Sequence, residues 1–232
     1  MTWWEALLLG LVQGLTEFIP VSSSGHLVLG QHLLGLDATP SDVTFEVFVH
    51  FGTVLSILTV YGEEVGDLLA EAWAGLCAPT AIPARFREND TFRLGVYILV
   101  TLIPTGVVYL LFKSQIEQAF DSPQFASAML LVTGVLLLLT LLRPHPDGPL
   151  TSIKAFVVGI AQSAAMIPGI SRSGSTICAA LYQNVAPERA ANFSFLMLLP
   201  VVLGATVLKS LELAEQGMGT AAMPLGIGTL AA

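Results

Sequence analysis

Charge is scarce in this sequence. Only 11% of its 232 residues are Asp, Glu, Lys or Arg, against about 25% in a soluble domain, so a water-soluble globular chain is excluded. Basic charge is scarcer still. Nine Lys and Arg against 17 Asp and Glu leave a net charge of −8, which argues against a nucleic-acid partner. Cysteine is nearly absent: Cys77 and Cys178 stand far apart without CxxC spacing, so neither a disulfide framework nor a zinc site is indicated. The N-terminus has no basic stretch, carries Glu5 early and lacks a small-residue cleavage pattern. It does not read as a secretory signal.

Apolar residues fill the space left by charge. They make up 54% of the chain, with a mean hydropathy of +0.76, and they predict an all-α, polytopic membrane protein. The segments 94–112, 124–142 and 190–208 have spanning length without charge, near the ~20 residues a bilayer core requires. A fourth span, 45–61, carries Glu46 and His50. Arg85, Arg87 and Arg93 precede the 94–112 span, and Arg143 and Lys154 follow the 124–142 span. The positive-inside rule puts both loops in the cytoplasm. The loops with Asp37 and Asp42, Glu117 and Asp121, and Glu212 and Glu215 then fall outside. Glu63, Glu64, Asp67 and Glu71 read as the solvated face of an interfacial segment.

Two polar stretches interrupt the oily background: TEFIPVSSSGH at 16–26 and MIPGISRSGST at 166–176. They register at one constant offset, with Gln13, Ser22, Ser24 and Gly25 answering Gln162, Ser171, Ser173 and Gly174, and each follows an Ile-Pro pair. The leading segments 5–19 and 154–167 reach about 21 Å as helix, short of a ~30 Å core. Each reads as a re-entrant helical hairpin whose irregular tip is tolerated only inside protein or beside a wet cavity. The expected fold is a single membrane domain of inverted-topology repeats, 1–142 and 150–232, with the tips meeting near the midplane. The second unit stops two helices short of the first.

The tips suit anion chemistry. Gln13 and Glu17 lie one helical turn apart on a shared face and offer oxygens to a divalent cation or a proton. Helix N-termini rich in Ser and Gly bind anions, which nominates Ser22, Ser24, Gly25, Ser171, Ser173, Gly174 and Thr176 for a phosphate. Arg172 brings the guanidinium suited to phosphate. Leaving it in a membrane costs about 2.5–3.5 kcal/mol on insertion scales, which favours function over packing. Ser23 and His26 complete the cluster, Glu46 stands between function and interface, and His50 reads as packing or a supporting bond.

QGLTEFIPVSSSGH and PGISRSGST resemble the (E/Q)xxxE, Ser-rich and PGxSRSxxT motifs of bacterial undecaprenyl-diphosphate phosphatases of the bacitracin-resistance type, and TFEVFVHFG and FSFLMLLP resemble further stretches of that family. The resemblance implies an enzyme that hydrolyses undecaprenyl diphosphate to the monophosphate, with Mg2+ or Ca2+, in the plasma membrane. It places Ser23 at the nucleophile position, His26 at the essential histidine, Glu17 at the second motif carboxylate and Arg172 at the phosphate-binding arginine. Glu17 or His26 serves as base, and Glu17 and Gln13 hold the metal. Gln13 is the amide variant of a position that also takes Glu. The expected partners are a polyprenyl diphosphate, the membrane and, as an option, a second copy of the chain. Two rivals share features. Acid-phosphatase-like lipid phosphatases need a histidine shortly after SR, and none follows Arg172. A polyprenyl-phosphate flippase would use the same anion site without a nucleophile.

Overall fold

A computed structural model describes residues 1–36, 40–143, 146–216 and 222–232, with backbone alone at 40–42 and 216. Asp37, in the first of the acidic loops, lies outside the described residues, as does the side chain of Asp42. Among the described residues the chain is helical, without named strands. In order the helices are α1 (Trp3–Glu17), α2 (Ser23–Leu33), α3 (Pro40–Val60), α4 (Gly62–Cys77), α5 (Ile82–Glu88), α6 (Asp90–Ala119), α7 (Pro123–Leu139), α8 (Ser152–Ala164), α9 (Arg172–Tyr182), α10 (Pro187–Gln216) and α11 (Ala222–Ala231).

Among the described residues four stretches are long and apolar enough to cross a membrane: Val43–Val60, Asp90–Ala119, Pro123–Leu142 and Pro187–Glu215. These are the four expected spans, and two run further than expected. Helix α6 continues through a break at Phe112 (φ −125°, ψ 19°), and α10 continues past Leu208. Charge was the cue for stopping earlier, and the charges beyond are paired. Lys113 reaches Glu212 at 3.2 Å and Lys209 reaches Glu212 at 2.8 Å and Glu117 at 3.6 Å. Leu110, Leu131 and Leu138 are 81%, 75% and 66% exposed; on helices of this length such leucines face lipid.

Between the spans lie two short helix pairs. Helices α1 (15 residues) and α2 (11) are joined by the turn 18–22 and pack on each other. Helices α8 (13) and α9 (11) do the same around 165–171. At ~1.5 Å per residue none spans a ~30 Å core. Each pair leans on other elements: α1 packs on α11 and α3, and α8 on α6. The contacts are close. A Cβ on Gly10 would stand 2.5 Å from the Gly228 carbonyl oxygen, and one on Gly159 would stand 2.8 Å from that of Thr101. One core forms around Val54, Val158, Phe193 and Met197, and a second around Ala6, Leu9, Leu27, Phe45 and Val49. The acidic residues of α4 behave as expected of a solvated face at Glu63, Glu64 and Asp67, while Glu71 pairs with Arg85 at 2.6 Å. Cys77 is exposed and Cys178 buried, both free thiols.

Candidate active site

Each tip is built by the same local device. Ser22 caps α2 by accepting from the Gly25 N–H at 3.3 Å, and Ser171 caps α9 by accepting from the Gly174 N–H at 3.0 Å. A side-chain oxygen here satisfies one of the donors a helix start leaves unpaired. Each capping hydroxyl also pairs with the hydroxyl two residues on, Ser22 with Ser24 at 3.2 Å and Ser171 with Ser173 at 3.4 Å. The tips touch through backbone that side chains would keep apart. A Cβ on Gly25 would lie 2.9 Å from Gly169 Cα, and one on Gly174 would lie 3.2 Å from the Pro20 carbonyl oxygen. Thr133 of α7 braces the second tip, donating to the Gly169 carbonyl at 2.8 Å and accepting from the Ser171 N–H at 3.0 Å.

Glu17 lies where the tips meet, 5% exposed. Its Oε1 accepts from an Arg172 terminal nitrogen at 2.6 Å, and its Oε2 accepts the Ser23 hydroxyl at 2.5 Å and the Gln13 amide at 3.0 Å. His50 Nε2 stands 3.3 Å from the same Oε2. The Ser173 hydroxyl donates to the Glu17 main-chain carbonyl at 3.3 Å. The other arm of Arg172 donates to the Ser194 carbonyl at 2.8 Å, so the guanidinium is tied at both ends while its Nε is buried without a partner. A carboxylate between a hydroxyl donor and a guanidinium can take the proton of the first while the second awaits an anion.

These groups border a cavity of about 420 Å³. Glu17, Ser22, Ser23, Ser24, Ser171, Arg172 and Ser173 line it, as do Glu46 and His50. The rest of the wall is largely apolar, with Val47, Leu102, Ile116, Phe120 and Leu208 among its side chains. The space therefore suits an amphiphile with an anionic head.

Not every residue nominated from sequence reaches the cavity. Gly25 and Gly174 serve the caps and the contact between the tips. Thr176 is turned back onto α9 and bonds the Ser194 hydroxyl at 2.7 Å. His26 holds the Ser22 carbonyl through Nδ1 at 2.8 Å and is not among the lining residues. His50, read from sequence as packing or a supporting bond, joins the centre as the latter, and so does Ser194, which sequence reasoning missed. The signal for His50 was its spacing: one turn beyond Glu46 on a span, it presents its polar edge to the same side. Ser194 lies within FSFLMLLP, but nothing local gave it a role.

Gln13 is fully buried, and its Oε1 accepts no hydrogen bond. Among the described residues no group of three or more His, Cys, Asp or Glu side chains is arranged to hold a metal. Gln13 does not line the cavity and presents its amide nitrogen to Glu17; a hard cation of the Mg2+ or Ca2+ kind would take the one carboxylate here, the Gln13 oxygen only with its amide turned, and most of its oxygen ligands from phosphate and water.

The sequence matches the family described as "Bacitracin resistance protein BacA" over residues 6–232. It is similar to the undecaprenyl-diphosphatase of Salinibacter ruber, 77% identical over 232 residues covering 100% of this chain and 86% of that protein. It is also similar to the undecaprenyl-diphosphatases of Halothermothrix orenii, 39% identical over 92% of this chain and 77% of that protein, and of Bacteroides thetaiotaomicron, 38% identical over 100% and 85%.

Proposed function

The chain belongs to the bacitracin resistance protein BacA family, and from that premise we propose that it is an integral membrane phosphatase hydrolysing undecaprenyl diphosphate to undecaprenyl phosphate and inorganic phosphate. The observation that carries the reading is the Ser23–Glu17–Arg172 chain, with contacts of 2.5 and 2.6 Å, lining a largely apolar cavity. The reaction returns the lipid carrier to peptidoglycan and envelope-polymer synthesis, which is also how such an enzyme confers bacitracin resistance. The chain works in the plasma membrane, and the first hairpin enters from the outer face, so the diphosphate is taken from the outer leaflet. The reciprocal contacts of the two tips, and of α1 with α11 and α8 with α6, support an inverted-repeat origin for this arrangement.

In the mechanism, Ser23 Oγ attacks the terminal phosphorus, and its proton passes to Glu17 Oε2. The bond from phosphorus to the bridging oxygen breaks, and its electron pair leaves with the lipid monophosphate. Water then attacks the phosphorus of the phosphoserine, Ser23 Oγ leaves and takes back the proton held by Glu17, and inorganic phosphate is released. Arg172 turns from Glu17 to the phosphoryl oxygens. The first-turn N–H groups of α2 and α9 and the hydroxyls of Ser22, Ser24, Ser171 and Ser173 face the charge that develops. Donors fixed in advance in this way contribute about 2.7–4 kcal/mol each where removal has been measured. Mg2+ or Ca2+ held by Glu17 and Gln13 would offset charge on the diphosphate. His26 secures the carbonyl of Ser22 and so the aim of the neighbouring nucleophile; the base is Glu17.

Phosphate release from C55 diphosphate by the detergent-solubilised chain tests the reading, because micelles have no sides across which to transport. Wild type releases phosphate, and Ser23→Ala binds substrate without turning it over. Tight binding with no release by wild type would favour the flippase.

A further inference from the structure

Glu17 has a partner that the mechanism so far leaves idle. His50 sits on α3, one turn after Glu46, and its Nδ1 lies 2.8 Å from the Glu46 main-chain carbonyl. A carbonyl only accepts, and so does a carboxylate, so a ring that holds both donates from both nitrogens as the imidazolium, and its plane is fixed. The other nitrogen then points at Glu17 Oε2, 3.3 Å away, the same oxygen that takes the Ser23 proton. His50 also lines the cavity.

The need for such a partner arises when substrate arrives. The two carboxylate oxygens are held from opposite sides, Oε1 by Arg172 and Oε2 by Ser23, Gln13 and His50. A terminal phosphate competes for the guanidinium, and once Arg172 turns to it, Oε1 loses its anchor. Ser23 cannot hold the carboxylate either, because its hydroxyl is the reacting group. Of the chain's own side chains, what remains is the Gln13 amide, on the same helix as Glu17, and His50, on a different one. A tether from α3 restrains rotation of the side chain in a direction that a residue on α1 does not.

We propose that His50 is a positioning residue of the phosphatase reaction: it keeps Glu17 Oε2 on the Ser23 hydroxyl while Arg172 is engaged with the phosphate. The inference rests on the phosphatase reading above. It assigns His50 no contact with the reacting phosphorus and no step of bond exchange.

The experiment compares purified wild type, His50→Leu and His50→Gln with C55 diphosphate across a range of concentrations, with thermal unfolding in detergent as a check on the fold. His50→Leu lowers kcat by about 10- to 100-fold, the scale of a small misplacement of a reacting group, and leaves KM nearly unchanged, since the substrate's own contacts persist. His50→Gln, which keeps an N–H at similar reach, recovers most of kcat. Adding His50→Leu to Glu17→Gln costs nothing further, because His50 acts through Glu17. Should His50→Leu fail to fold, His50→Asn, with a shorter reach, replaces it under the same expectation. The inference is overturned by a normal kcat in His50→Leu, by a change confined to KM, by full additivity with Glu17→Gln, or by a folded His50→Gln as slow as His50→Leu. Absence of phosphate release from wild type is a separate result and removes the phosphatase reading itself, taking this inference with it.

Discussion

At the first tip the residue in left-handed backbone is Ser22, at φ 67°, whereas at the second it is Gly169, at φ 92°. The second tip places its irregularity on the residue that tolerates it. The first places it on a serine, where a non-glycine in sparsely populated backbone costs about 1–3 kcal/mol and persists only when its surroundings hold it there. The Ser22 carbonyl accepts from both the His26 main-chain N–H and its Nδ1, at 3.2 and 2.8 Å. The next residue differs as well. Ser23 begins α2 and Arg172 begins α9 at matching positions of the two stretches. One backbone plan thus serves the two tasks proposed for it: the strained tip presents the Ser23 hydroxyl beside Glu17, and the relaxed tip presents the Arg172 guanidinium.

Abolishing the difference at the reacting atom has the largest expected effect. Ser23→Ala lowers kcat by at least about 10³-fold in a phosphate-release assay, as loss of a nucleophile does elsewhere, with stability nearly unchanged. Near-normal turnover would point to direct attack by water and end the division of labour. Glu17→Gln comes next, with kcat down by about 10²- to 10⁴-fold, the range for a general base. It also leaves Arg172 facing an amide, so the affinity for substrate phosphate is expected to hold or improve, which equilibrium binding of C55 diphosphate measures.

The backbone side of the comparison is tested through stability. Gly169→Ala combines positive φ with a Cβ only 2.2 Å from the Ala126 carbonyl oxygen, and should cost about 2–4 kcal/mol. Ser171→Ala removes a cap alone, at about 1 kcal/mol. Thermal unfolding in detergent ranks the two, and a harmless Gly169→Ala would contradict the close contact between the second tip and α7.

Much of this was legible in the sequence, for reasons that mark the limits of such reading. The spans follow from composition because lipid selects for apolar length, and the caps follow from Ser-x-x-Gly because the bond is local. The meeting of Ser23, Glu17 and Arg172 followed from the matched, proline-broken stretches. Contacts supplied by distant elements did not. His50 comes from α3, Ser194 from α10 and Thr133 from α7, and packing alone brings them to the tips. His26 and Thr176 differ in the opposite way. Inside a polar motif both look poised for chemistry, yet each spends its side chain on a main-chain oxygen four residues back. The ends of α6 and α10 were misjudged because Lys113 and Lys209 find carboxylates across the helix pair.

The bond between Arg172 and Glu17 also bears on how the enzyme can be blocked. Before any anion reaches the guanidinium it must outbid a carboxylate already seated there, so mimics of phosphate alone are expected to be weak inhibitors. A compound that carries its own cation, placed to satisfy Glu17 as the anion takes Arg172, would leave neither charge stranded, and an apolar tail along the cavity wall would add the remainder of its grip.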